Sequence, residues 1–215
     1  MKKVKKTVSK PGKTIGITGT YCAGKNHVAR LLEQRGLPVL DVDKLGHQVI
    51  ELEKERLQAR FGQDILNDDG QIDRKRLGAK VFGKPGELAA LEEIIHPGVN
   101  RITLDWIQQQ GRQEKACVIN AALLHRSSAF KALDAIIIVE APFLLRLLRA
   151  RKRDKLPWSV LLKRFHSQRT FTSQYSRGKA DTFKVENSGF SGFRSCSLHK
   201  KLENRINEIL PLMGI

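Results

Sequence analysis

The chain's 215 residues suffice for one domain with insertions, or for a core plus a small lobe, around a sizeable apolar interior. At 40% hydrophobic and 28% charged residues the composition is that of a soluble protein. No apolar run approaches the ~20 residues of a membrane span, and no apolar stretch follows the N-terminal lysines as a secretory signal would require.

The net charge of +17 is concentrated in two places. Residues 1–14 hold six lysines and no acid, and residues 142–180 hold eleven Lys or Arg against the single acid Asp154. The remainder, with 22 basic and 21 acidic residues, is nearly neutral. A basic tail over residues 1–13 reads as a disordered, solvated end, with an arm for polyanions as the alternative. The interior basic segment, helical and in the same chain as a phosphate-binding loop, fits nucleotide phosphates better. Cys22, Cys117 and Cys196 are odd in number and form no C-x-x-C pair, which argues against zinc or a disulfide framework and for a reducing cytoplasm.

In chain order, Thr14-Ile15-Gly16-Ile17-Thr18 is apolar and β-branched and reads as a buried strand. Gly19-Thr20-Tyr21-Cys22-Ala23-Gly24-Lys25 follows with G-x-x-x-x-G-K spacing, and Val28-Ala29-Arg30-Leu31-Leu32 reads as a helix. Such a strand–loop–helix turns backbone N–H groups around phosphate oxygens, adds the helix dipole, and sends the lysine to the β- and γ-phosphates. The motif asks for Ser or Thr next, as a hydroxyl for Mg²⁺, and this chain has Asn26. A second short strand, 37–43, ends in Asp41 and Asp43. Strand alternation sends both carboxylates to one face. Asp43, further out, is the better candidate base, while Asp41 could hold Mg²⁺ through a water. Equally, Asp43 could simply cap the helix that follows.

Helices are expected over 44–61, 74–82, 87–95 (stopped by His96-Pro97) and 99–110, with Asn67-Asp68-Asp69-Gly70 as a turn. Residues 117–121 and 135–139 read as buried parallel strands, 143–155 and 158–169 as a helix pair, 182–185 as the last strand, and 198–210 as the last helix. Ser- and Gly-rich residues 188–197 read as loop. Alternation of strands and helices implies an α/β fold, a parallel sheet with helices on both faces.

Gly16-Ile17-Thr18-Gly19 through Lys25, then Val39-Leu40-Asp41-Val42-Asp43-Lys44-Leu45-Gly46-His47, resemble the dephospho-CoA kinase family. So do Asp69-Gly70-Gln71-Ile72-Asp73-Arg74, Val81-Phe82, Ile95-His96-Pro97, residues 149–154, and Ala180-Asp181 with Glu186-Asn187-Ser188-Gly189, in the family's order. The resemblance implies a three-layer P-loop kinase fold, with a substrate lobe over 44–115, a lid over 143–180, and a nucleotide-binding core in the rest of 14–215. It implies ATP-dependent phosphorylation of the ribose 3′-hydroxyl of dephospho-CoA, with ATP and Mg²⁺ as cofactors. Gly19, Cys22, Ala23, Gly24, Lys25, Asn26 and His27 would then hold ATP, Cys22 without need of its thiol, and Asn187 would border the adenine. Lys25, Asp43, Arg149 and Arg153 would be catalytic, the arginines clamping the transferring phosphoryl unless they form a solvated basic face. Asn26 and Asp41 would serve the metal. His96 reads as structural.

Beside Asn26, Ala122-Leu123-Leu124-His125-Arg126 stands where the family usually has Pro-Leu-Leu-x-Glu, and residues 171–177 lengthen the lid's return. The alternatives are a nucleotide binder with little kinase activity and a basic, nucleic-acid-associated P-loop protein. The second lacks an RNA-binding aromatic signature or DNA-reading module, so no nucleic-acid partner is expected, nor a membrane. Oligomeric state stays open.

Overall fold

The computed structural model describes residues 12–166, 175, 180–189 and 196–215. Five parallel strands, β1 (Lys13–Gly19), β2 (Val39–Asp41), β3 (Ala116–Asn120), β4 (Ala135–Glu140) and β5 (Asp181–Glu186), form one sheet in the order β2-β3-β1-β4-β5. The central strands are buried on both faces, which is why β3 and β4 are continuous apolar runs, whereas β2 and β5 at the edges are partly exposed. On one face Ile15 and Ile17 pack with Val28, Leu31 and Leu32 of α1 (Lys25–Glu33) and with Leu202, Ile206 and Ile209 of the last helix, α8 (Cys196–Leu212). On the other, Ile119, Ile136 and Ile138 pack with Leu124, Leu133 and Tyr175, and with Trp106 and Ile107 of α5 (Pro85–Gln113). The molecule is therefore three-layered. Gly16 serves this second face, since a Cβ there would meet Leu124 Cδ2 at 2.4 Å.

Four helices fill the span between β2 and β3. In α2 (Val42–Leu52), Leu45 and Val49 pack with Ile95 and Val99 of α5. In α3 (Lys54–Phe61), Leu57 and Phe61 pack instead with Ile65, Ile72, and with Leu77 and Val81 of α4 (Arg74–Val81). The single helix expected over 44–61 is thus broken at Glu53. Extending the Leu45–Val49 stripe by helical spacing would bring Arg56 and Arg60 inward, so the break re-aims the chain and lets Leu57 and Phe61 be buried. The stop expected before Pro97 does not occur, because α5 runs through it. Packing decides this: Ile95, Gly98, Val99 and Thr103 are buried on one side, and a Cβ at Gly98 would meet Val49 Cγ1 at 2.9 Å.

Between β4 and β5 lie α6 (Phe143–Asp154) and α7 (Trp158–His166), joined through Ala150, Leu161 and Phe165. The tail assignment needs shortening. Gly12 donates to Gly111 O at 3.0 Å, and Lys13 opens β1 with its Nζ on Met213 O at 2.6 Å. Residues 1–11 of that tail, the lid's return over 167–179 apart from Tyr175 (and with it most of the extra stretch 171–177), and 190–195 of the Ser- and Gly-rich loop lie outside the described residues.

Candidate active site

The loop after β1 is shaped from both sides. Gly24 has φ 93°, and a Cβ on it would sit 2.2 Å from Asn187 Nδ2, so only glycine fits. Cys22, also left-handed at φ 59°, keeps a free, half-buried thiol. Behind the loop, Arg149 donates from Nη1 to Cys22 O (3.3 Å) and Ala23 O (3.2 Å), and from Nη2 to Asn187 O (3.0 Å) and Gly189 O. Asn187 Nδ2 adds a second bond to Ala23 O at 2.9 Å. Pinning the carbonyls outward turns the amides inward, which makes an anion receptor at the start of α1. The Ala23 amide bonds Thr20 O and that of His27 bonds Gly24 O, so these two close the turn. The amides of Cys22, Gly24, Lys25 and Asn26 have no partner among the described residues and are free for phosphate.

Arg149 and Asn187 therefore brace the loop, in addition to the phosphoryl-clamp and adenine-border roles expected from the sequence. The His27 ring points away from the loop. It stacks edge-on against His199 of α8 at 5.4 Å, and burial pushes its pKa down.

In front of the loop, the three donors of the Lys25 ammonium meet three acceptors: Asp43 Oδ2 at 2.6 Å, Asn120 Oδ1 at 3.0 Å and Asn26 Oδ1 at 3.2 Å. Asp43 Oδ1 accepts the Ala122 N–H at 3.2 Å. Strand β2 ends at Asp41, so Asp43 arrives in the first turn of α2 and not by strand alternation. The cap is Asp41, whose carboxylate accepts the Lys44 N–H at 3.1 Å, and this turns Asp43 toward Lys25. With 46% of its side chain exposed, Asp43 remains reachable by a second substrate, while Lys25 is 15% exposed. Asn120 had no signal in the sequence. It is one polar letter closing an apolar strand, and only the β3–β1 pairing brings it beside Lys25.

Protein-held magnesium does not fit this donor set. Mg²⁺ is normally bound by one or two carboxylates besides phosphates and waters. Here Asp41 caps α2, Asp43 is paired with Lys25, and Asn26 Oδ1 accepts from both Lys25 and Asn120. Among the described residues no group of three or more His, Cys, Asp or Glu could hold a metal.

The basic helices α6 and α7 close over the loop's tip. Arg153 pairs with Asp154 at 2.7 Å and lies over the Tyr21 ring at 5.1 Å, while the Tyr21 hydroxyl donates to Asp154. The Arg153 guanidinium holds the Asp154 carboxyl below the usual carboxylate range. Phe165 meets Tyr21 edge-on at 5.3 Å. Arg146 lies over Phe165 and Arg151 over Trp158. Among the described residues, Arg146, Arg149, Arg151, Arg153 and Arg164 are engaged in building this cover and do not form a free basic face.

The dephospho-CoA kinase family model matches residues 13–191. The chain belongs to the dephospho-CoA kinase family. The dephospho-CoA kinase of Halalkalibacterium halodurans is 36% identical over 183 residues, covering 81% of this chain and 88% of that relative. That of Treponema pallidum is 33% identical over 197 residues, covering 88% and 92%. A solved structure of a Thermus thermophilus protein, TT1252, superposes with a TM-score of 0.75 at 29% identity, covering 94% of this chain and 98% of the other. Against the dephospho-CoA kinase pattern, Arg126 is not a stray charge, since it pairs with Glu92 of α5 at 3.3 Å.

Proposed function

We propose that this chain transfers the γ-phosphoryl group of ATP to the ribose 3′-hydroxyl of dephospho-CoA, giving CoA and ADP. The observation that carries the mechanism is the Lys25–Asp43 contact at 2.6 Å, at the mouth of an amide-lined loop. Lys25 exchanges Asp43 for the β- and γ-phosphate oxygens, which frees the carboxylate to face the acceptor. Asp43 takes the 3′-hydroxyl proton as the new O–P bond forms, and the bond to the ADP oxygen breaks. The loop amides and Lys25 stabilise charge on the transferring group. Arg149 acts through the loop it braces, and Arg153, with Tyr21 and Asp154, holds the cover that excludes water. On this reading α2–α5 are the acceptor lobe and α6–α7 the lid, the donor is ATP with Mg²⁺ as its counter-ion, and the free thiols Cys22 and Cys117 fit the cytoplasm.

The test is incubation of the purified chain with ATP, Mg²⁺ and dephospho-CoA, with AMP and shikimate as competing acceptors, and mass spectrometry of the products. The expected result is CoA alone. Intact ATP binding with no phosphorylated acceptor at any metal concentration would favour a nucleotide binder with little kinase activity.

A further inference from the structure

We infer that the divalent ion of this site is carried by the nucleotide's phosphates and not by the protein, because a hydrogen-bonded pair of asparagines, Asn26 and Asn120, occupies both positions from which P-loop enzymes hold it. In such enzymes the ion is bound by the hydroxyl residue that follows the loop lysine and by a carboxylate at the end of a core strand. Here the first position is Asn26 and the second is filled by Asn120, at the end of β3 next to β1.

The orientation of the two carboxamides is set by their neighbours. Asn120 Oδ1 accepts from Lys25 Nζ at 3.0 Å, and its Nδ2 donates to Asn26 Oδ1 at 3.1 Å. Flipping Asn120 would set its NH₂ against the ammonium and its oxygen against Asn26 Oδ1, replacing two hydrogen bonds with two repulsions. Asn26 Oδ1 also accepts from Lys25 Nζ at 3.2 Å. Both carboxamide oxygens that could ligate a cation thus accept from the Lys25 ammonium. Asn120 is also 98% buried, since its exposure is 2%, so it cannot swing away.

The pair removes a negative charge from the place where phosphates bind. A carboxylate at position 120, on the ammonium that serves them, would repel a metal-free triphosphate and weaken its Kd by about tenfold or more unless a cation intervened. A carboxamide imposes no such requirement. Asp43 is then the carboxylate left beside the phosphates, so metal-free ATP loses less affinity here than it would facing a second carboxylate at position 120.

Titration calorimetry of ATP into the full chain, in EDTA and in excess Mg²⁺, tests this. For the native protein the EDTA value should be weaker than the Mg²⁺ value by less than about tenfold, because Asp43 is the carboxylate left beside the phosphates and position 120 adds no second one. Asn120→Asp should weaken binding in EDTA by about tenfold or more while leaving the Mg²⁺ value near the native one. Asn26→Asp, at an exposed position, should move the ratio the same way and serves if Asn120→Asp fails to fold by circular dichroism. A native affinity that rises more than about tenfold with Mg²⁺, with both variants leaving the ratio unchanged, would overturn the inference. The inference rests only on ATP binding at this loop. Failure to phosphorylate dephospho-CoA would sink the functional proposal and leave the two Kd values readable, whereas absence of ATP binding would overturn both.

Discussion

Arg149 shows how a side chain can govern a phosphate site by shaping its backbone. Its guanidinium bonds four carbonyls, those of Cys22, Ala23, Asn187 and Gly189, and so links the P-loop to the segment after β5. Arg149→Gln keeps some polarity but cannot span both sides. We expect ATP affinity to fall about tenfold, the scale of one charge-assisted hydrogen bond, together with a lower melting temperature. A variant with native ATP affinity and a reduced kcat would instead make Arg149 a phosphoryl clamp. At this scale the sequence was informative where chemistry is local. The spacing of Gly19, Gly24 and Lys25 is self-contained, so the loop could be read directly. Asn120 and Tyr21 could not, because their roles come from strand pairing and from a lid 130 residues on, with Tyr21 bound to Asp154 across a separation of 133. Asp43 was found for a reason that the structure replaces: it projects from a helix's first turn, aimed by the Asp41 cap.

Among the elements, the packing of α1 on α8 carries a pH dependence. His27 sits between them with Nε2 buried and without a hydrogen-bond partner among the described residues. Burial, helped by the nearby His199, lowers its pKa from 6.5. The unfolded chain therefore takes up the proton first as pH falls. His27's contribution is complete above pH 6.5 and is lost below it, as pH drops toward the depressed folded value. The melting temperature should decline from pH 7 to pH 5, and His27→Gln should flatten the decline. Equal slopes in both proteins would remove His27 from the account. The central strands were easy to read because burial on both faces makes them uniformly apolar. The course of α5 was not, because Pro97 is a local stop signal overruled by the close packing of Gly98 on Val49, 49 residues away in sequence. The break at Glu53 is likewise a tertiary effect, visible only when the two clusters around Val49 and Leu57 are separated.

Across the whole molecule, two motif blocks that lie apart in the chain meet around one cavity. Residues 41–47 and 69–74 contribute His47, Gln71, Asp73 and Arg74 to a space of about 600 Å³ between α2 and α4. Asp43, His47 and Glu51 recur every four residues on α2, so the cavity begins about 6 Å along the helix from the candidate base. Among the lobe's basic residues Arg76 and Lys80 are ion-paired, while Arg74 and Lys75 have no ion pair among the described residues and border the cavity. We propose that position for the diphosphate of the acceptor. Arg74→Ala should raise the KM for dephospho-CoA about tenfold and leave ATP affinity unchanged. An unchanged KM would place the acceptor elsewhere.

The central claim, that the loop and the Lys25–Asp43 pair form a phosphoryl-transfer site for dephospho-CoA, is tested most directly by Asp43→Asn. The carboxamide preserves shape and the Ala122 contact but cannot accept the 3′-hydroxyl proton. Turnover of dephospho-CoA should fall by ~10²–10⁴ while ATP affinity is retained or improved, since Lys25 loses its competing anion. A variant that keeps native turnover and differs only in melting temperature would contradict the account and leave Asp43 a structural partner of Lys25.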